Sequence, residues 1–133
     1  MRRTLMRYLT CLLPIALMAC NGDTTVGGPD PDTVWALQEI DGTPFGARAT
    51  LSFPEEGVVR GQAPCNTFNA RLLETHPGFR VDQMAVTRIL CPEIEQETAF
   101  FEALRRMTRA DATANTLILS DEGDSLMVFA PAP

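Results

Sequence analysis

Pro92-Glu93-Ile94-Glu95-Gln96-Glu97-Thr98-Ala99-Phe100-Phe101-Glu102-Ala103-Leu104-Arg105-Arg106-Met107 reads with a helical period, and it decides the fold class. Ile94, Thr98, Phe101, Leu104 and Thr108 recur at helical spacing, with Phe100, Ala103 and Met107 beside them. Pro92 suits a first helical position, where its missing N–H costs nothing. Glu93, Glu95 and Glu97 fall near the positive end of the helix dipole, and Arg105, Arg106 and Arg109 near the negative end. The spacing predicts one helix over residues 92–108.

Around that helix the period is two. Residues 34–40 (VWALQEI) read as a first strand, closed by the turn Asp41-Gly42-Thr43-Pro44. Residues 49–53 alternate apolar and polar side chains, as a half-buried strand does. Pro54 to Gly57 turns the chain into residues 58–61, and residues 68–73 read as a further strand, ended by His76-Pro77-Gly78. Residues 79–82 alternate again. After the helix come strands at 116–119 and 126–129, joined by Asp121 to Asp124 as a hairpin. Many short strands with one late helix indicate an antiparallel α+β domain.

The other end of the chain speaks of location. Arg2, Arg3 and Arg7 precede a short apolar run that closes on Leu17-Met18-Ala19-Cys20. A positive n-region, a short h-region and a small residue before the cut make a signal peptide, and the cysteine makes it a lipoprotein signal. Roughly ten apolar residues, broken by Pro14, are too few to span a bilayer core. The expected mature chain starts at Cys20, with lipid on its sulfur and a third acyl chain, commonly palmitate, on its amine; two or more chains anchor stably. Asn21 rather than Asp follows, which in Gram-negative sorting points to the outer membrane, facing the periplasm. An ordinary secretory signal with Cys20 as a bystander is the alternative. The expected organisation is signal peptide 1–19, lipidated cysteine and flexible linker 20–32, and one domain over 33–131. The linker residues Asn21 to Asp32 are rich in Gly, Pro and Asp and bury too little to order themselves.

Cleavage removes three arginines and no acidic residue, so the formal charge falls from −6 to −9. Nucleic acid is therefore excluded as a partner, since phosphate binding needs concentrated Lys and Arg. One His and two cysteines that remain after lipidation make no closed zinc site. No nucleophile elbow, phosphate loop or hydrolase acid pair stands in the sequence. No catalytic residue, metal or cofactor is expected beyond the lipid on Cys20.

Cys65 and Cys91 carry the remaining chemistry. Two cysteines in a small domain of an oxidising compartment most often pair. Closing a loop of about 26 residues would contribute roughly 3–4 kcal/mol. A reactive Cys91 at the head of the helix, or two free structural thiols, are the alternatives. Asn66 reads as a turn residue bonded to nearby backbone. Arg88 is expected to pair with one of the many carboxylates, with an anionic ligand as the sharper reading. His76 reads as a surface residue, and Trp35 as core.

Several landmarks stand in a known order. They are Trp35-x-Leu37, Asp41-Gly42, Leu51-Ser52-Phe53, Gly61-x-Ala63-x-Cys65-Asn66-x-Phe68, Ala85-x-Thr87-Arg88-x-x-Cys91-Pro92-Glu93, then the helix with Phe101 and Leu104, and last Leu117-x-Leu119 and Leu126-x-x-Phe129. From Thr33 to Ala130 this resembles the META/HslJ domain (DUF306 type) of bacterial envelope lipoproteins. The resemblance implies a barrel-like, partly open antiparallel sheet packed on one helix, similar in shape to secretin pilotins. It implies no established catalytic activity, and roles in stress response, drug tolerance and secretion. Trp35, Gly61, Asn66, Phe68, Thr87, Arg88 and Pro92 are its motif residues here. Where the family often has Gly-x-Tyr, this chain has Ala70-Arg71-Leu72, which removes any function of an exposed tyrosine. The sequence thus points to a monomeric, non-enzymatic outer-membrane lipoprotein that binds a periplasmic protein in envelope stress tolerance or assembly. Two further readings are a periplasmic protease inhibitor, presenting Gln62 to Cys65 or Asp121 to Asp124, and a carrier of an apolar ligand between sheet and helix.

Overall fold

The computed structural model describes residues 28–133; the signal segment, Cys20 and the linker up to residue 27 lie outside the described residues. Nine strands form one antiparallel sheet. In chain order they are β1 (Trp35–Ile40), β2 (Thr43–Pro44), β3 (Thr50–Ser52), β4 (Val58–Gln62), β5 (Thr67–Leu72), β6 (Val81–Val86), β7 (Arg109–Ala112), β8 (Leu117–Ser120) and β9 (Leu126–Pro131), with helix α1 (Ile94–Arg106) between β6 and β7. Their spatial order is β6-β5-β4-β3-β1-β9-β8-β7, and β2 pairs with β1 off that path.

The sheet curls because its strands carry extra residues. Leu37 and Glu39 of β1 face Phe129 and Val128 of β9, leaving Gln38 as a bulge. A second register shift lies between β5 and β6, where Gln83 takes a φ of 47°. Bulges sharpen the local twist and bend the strand. The two outer strands are thereby drawn together. The N–H of Phe79 donates to Thr108 and that of Ala110 to Pro77, each at 2.8 Å, so the segment ahead of β6 stitches to β7 across the gap.

The interior of the curl holds the core. Alternate residues point inward, as in Leu117 and Leu119 of β8 and Met127 and Phe129 of β9, all fully buried. Trp35 is 1% exposed, as its place in the first strand predicts. From α1 come Phe100, Phe101, Ala103 and Leu104. Phe68 of β5 meets Phe101 edge-on at 5.3 Å and Phe100 at 5.7 Å. Such ring pairs contribute about 0.5–1.5 kcal/mol each beyond their buried area.

Several details differ from the sequence reading. Pro92 lies in a turn before the helix instead of at its first position, and Glu93 is the N-cap residue. The buried stripe runs through Glu97, Phe100, Phe101 and Leu104, while Thr98 and Thr108 are exposed. Strand β7 has no strong sequence signal because its inward face is only Ala110 and the half-buried Ala112, with Arg109 and Asp111 paired to each other outside at 2.7 Å. Strand β2 occupies what reads as a plain turn, since Thr43 and Pro44 fold back on Ile40 and Glu39.

Two residues illustrate how tightly the sheet is specified. Gly61 faces Leu51 of β3 and Phe68 of β5. A Cβ there would overlap the Thr50 carbonyl oxygen and stand 2.8 Å from the Phe68 ring. Gly61→Ala is expected to cost about 2–3 kcal/mol through this overpacking, read as a lower urea midpoint with an unchanged slope. Asp41, at φ 51°, sits in the β1–β2 turn, and its carboxylate accepts from the Leu126 N–H and the Ser125 hydroxyl, both at 2.8 Å. Those bonds, the backbone one foremost, hold its pKa below the ordinary value. A depressed carboxylate stabilises the fold above its unfolded pKa of about 3.9 and loses that contribution as pH falls through the folded value. Asn also tolerates positive φ, so Asp41→Asn should shallow the acid side of a melting-temperature profile below about pH 4 while leaving the neutral fold intact.

Candidate functional site

The motif residues converge at one end of the sheet, where β4 passes to β5 and β6 passes to α1. Cys65 and Cys91 form a disulfide with Cα atoms 5.5 Å apart. It joins the β4–β5 connection to the loop ahead of the helix. Beside it Asn66 is only 4% exposed, and every polar atom of its amide is engaged. Its Nδ2 donates to the Ile89 carbonyl at 2.9 Å and to Glu97 Oε1 at 2.6 Å. Its Oδ1 accepts from the Ile89 N–H at 2.6 Å and the Thr87 hydroxyl at 2.8 Å. Ile89 N–H can only donate and a carboxylate here only accepts, so the amide has one workable orientation.

Glu97 completes the arrangement from the first turns of α1. Its Oε2 accepts from the backbone N–H groups of Cys65 and Asn66, both at 2.8 Å. A buried carboxylate with three donors is one whose desolvation is offset by charge-assisted hydrogen bonds. The sequence placed Glu97 among the acidic residues that merely complement the helix dipole. The available signal was its position on the apolar stripe, one turn ahead of Phe100 and Phe101. Asn66 likewise does more than brace a local turn, because it bonds residues 23 and 31 positions away.

The motif C-N-x-F thus has three separate tasks: a disulfide from Cys65, a polar hub from Asn66, and an aromatic contact from Phe68 to the helix. Thr87 serves the hub with its hydroxyl and accepts the Thr67 N–H at 3.2 Å. Arg88 departs from expectation: it is exposed and forms no ion pair among the described residues. The nearby Glu93 instead has its carboxylate beside the disulfide.

The product of this latch is a held loop. Ile89 is fixed through both its N–H and its carbonyl, and Cys91 through its sulfur. On this loop two adjacent aliphatic side chains face solvent, Ile89 at 60% and Leu90 at 87% exposure. Single exposed aliphatics are ordinary; here two are adjacent, on a loop whose backbone is held at Ile89 and Cys91. In the Gln62 to Cys65 segment Gln62 is exposed, while Ala63 is fully buried and its N–H donates to the Asn66 carbonyl.

Reactive-thiol chemistry has no footing at this site. The Glu93 carboxylate lies 3.2 Å from Cys91 Sγ, and a disulfide sulfur carries no proton to donate to it. On reduction that carboxylate would repel a thiolate, against the pull of the helix dipole. Cys65, Cys91 and Glu93 are also the one metal-like cluster among the described residues, but both sulfurs are committed to the bond.

A second feature lies at the far end of β5. His76, expected at the surface, is half-buried against Gly28 and lines a groove of about 490 Å³. Between sheet and helix Phe68, Phe100 and Phe101 pack on one another, and a shallow groove of about 430 Å³ opens between the β1–β2 turn and α1.

Comparison with known proteins agrees with this architecture. The META domain family model matches residues 30–133. Among curated proteins none matches the chain. A solution structure of a protein from Burkholderia xenovorans superposes with a TM-score of 0.61 at 21% identity, covering 84% of this chain and 96% of that one. A crystal structure of a DUF4847 family protein from Bacteroides vulgatus gives 0.59 at 15% identity, covering 75% and 92%. A further solution structure gives 0.58 at 22% identity, covering 75% and 89%. At these identities the likeness is one of fold.

Proposed function

The chain belongs to the META domain family, and from that membership we propose a non-enzymatic envelope protein that binds a periplasmic protein through the Arg88–Leu90 loop. The observation that carries this reading is the exposed Ile89–Leu90 pair on a backbone held by Asn66 and the disulfide. Preorganisation of this kind lowers the ordering cost of association. The lipoprotein signal supports an anchor at Cys20 in the outer membrane. Geometry supports the direction of presentation: Gly28 packs on His76 beyond the end of β5, while the loop lies beyond its start. Six residues of strand, about 20 Å at roughly 3.3 Å each, separate the two ends. The described chain therefore begins at the end of the sheet opposite the loop, which leaves the loop clear of an anchor at Cys20. Envelope assembly or stress tolerance is the role this arrangement fits.

The test is a photo-crosslinking residue at position 90 of the lipidated protein in intact cells. One discrete adduct is expected, lost on Ile89→Ser and not given by the same probe at Glu122 in the β8–β9 hairpin. Identical adduct patterns from both positions would sink the reading. With the probe moved to position 88, Leu90→Asp should leave stability within about 0.5 kcal/mol, because the side chain is almost wholly exposed, while abolishing capture. Protease inhibition is the second reading, favoured by the disulfide-braced loop, and it makes Leu90 the residue offered to the protease cleft. In that case the adduct is a protease, and the unlipidated chain inhibits it.

A further inference from the structure

We propose that the groove at the end of the sheet opposite the latch binds a small cationic amphiphile of the alkylammonium kind. Its floor is apolar: Phe53 and Phe79, edge to face at 6.5 Å, with Leu72 beside them. Its volume of about 490 Å³ falls in the range of small-molecule sites, about 300–1,000 Å³. Its rim is acidic. The charged side chains along it are Glu55, Glu56 and Glu74, with His76, and no arginine lines it. Glu55 has an arginine nearby, Arg60 at 3.9 Å, but both side chains are more than half exposed, so the pair neutralises little.

That combination selects by charge. An alkyl chain laid along Leu72 and the edge of Phe53, above the buried Phe79, removes its own apolar area from water. Its ammonium head then lies among three carboxylates, within the range where low salt leaves them unscreened. A sulfate or carboxylate head would be repelled by the same three carboxylates, and no arginine among the lining residues would offset that. Pro29 and Pro31 complete the wall, so the end of the linker forms one side of the site. The groove is separate from the Ile89–Leu90 loop, and this inference does not rest on that loop's role.

The full chain carrying Cys20→Ser, made without lipid, should be titrated at low salt with decyltrimethylammonium below its micellar concentration, and in parallel with decyl sulfate. Amide shifts are expected at Gly57, Gly78 and Phe79, with the cation binding at least about tenfold more tightly than the anion, equivalent to about 1.4 kcal/mol. The variant Glu55→Gln, Glu56→Gln, Glu74→Gln should erase that preference while retaining the wild-type fold, since all three side chains are exposed. Equal affinity for cation and anion would overturn the proposal without recourse to any variant. So would shifts scattered away from the groove, or a preference that survives the triple substitution.

Discussion

Glu97→Ala is expected to lower the unfolding free energy by about 4–5 kcal/mol, because three donors at a buried site lose their acceptor at about 1–3 kcal/mol each. Those donors are the N–H groups of Cys65 and Asn66 and the Asn66 side-chain amide. Domains of this size have only about 5–15 kcal/mol to lose, so the variant should be marginal in urea or heat. Glu97→Gln tests the mechanism more narrowly. The wild-type carboxylate uses one oxygen for two backbone donors and the other for Asn66 Nδ2. A glutamine must turn its NH₂ toward one of those donors, so the isosteric change should also destabilise, by about 2–3 kcal/mol. Asn66→Asp sets a second carboxylate against Glu97 and strips the Ile89 carbonyl of its donor. It should be at least as harmful as Asn66→Ala. A Glu97→Gln protein as stable as wild type would show that the carboxylate is not the acceptor described.

Removing the disulfide is expected to cost about 3.5 kcal/mol, from the entropy of closing a loop over a separation of 26 residues. For a domain of about 100 residues that corresponds to a fall in melting temperature of about 15–25 °C. The Cys65→Ser, Cys91→Ser protein should nevertheless fold, because Asn66 and Glu97 still tie the loop and helix to β5. Amide exchange is expected to quicken at residues 88–91 before it does in β8 and β9. Combined with Asn66→Ala, the loss should depart from the sum of the separate effects, since both devices restrain the same loop. Additive losses would mean that disulfide and hub act on different parts of the fold. Capture through position 90 should weaken in step with loop mobility, which links this stability measurement to the proposed binding role.

Much of the architecture is legible in the chain. Alternation marks residues 49–53 and 116–119 as half-buried strands, and the run from Ile94 to Arg106 carries both helical spacing and matched end charges. What escaped notice has common physical causes. Arg109-Ala110-Asp111-Ala112 shows one buried side chain, too few for a period, and becomes a strand because β8 offers it a ladder. Glu97 looks like any acidic residue near a helix start. Its burial depends on where the β4–β5 connection lies, and that connection is over 30 positions away. Arg88 was expected to meet a carboxylate on abundance alone, yet abundance does not place one beside it.

By itself the sequence determined most of the local choices: which segments alternate as strands, that one helix lies within residues 92–108, and that Cys65 and Cys91 are the two cysteines available to pair within the domain. These follow from side-chain periodicity, turn chemistry and charge, all of which act over a few residues. Only the tertiary structure decided that Asn66, Thr87, Ile89 and Glu97 share one hydrogen-bonded network around the buried Asn66 and Glu97, that Ile89 and Leu90 are held outward by it, and that three glutamates rim an apolar groove at the other end. Those facts are set by the curl of the sheet, which brings distant residues within hydrogen-bonding distance, and no local pattern encodes the register and bulges that produce it.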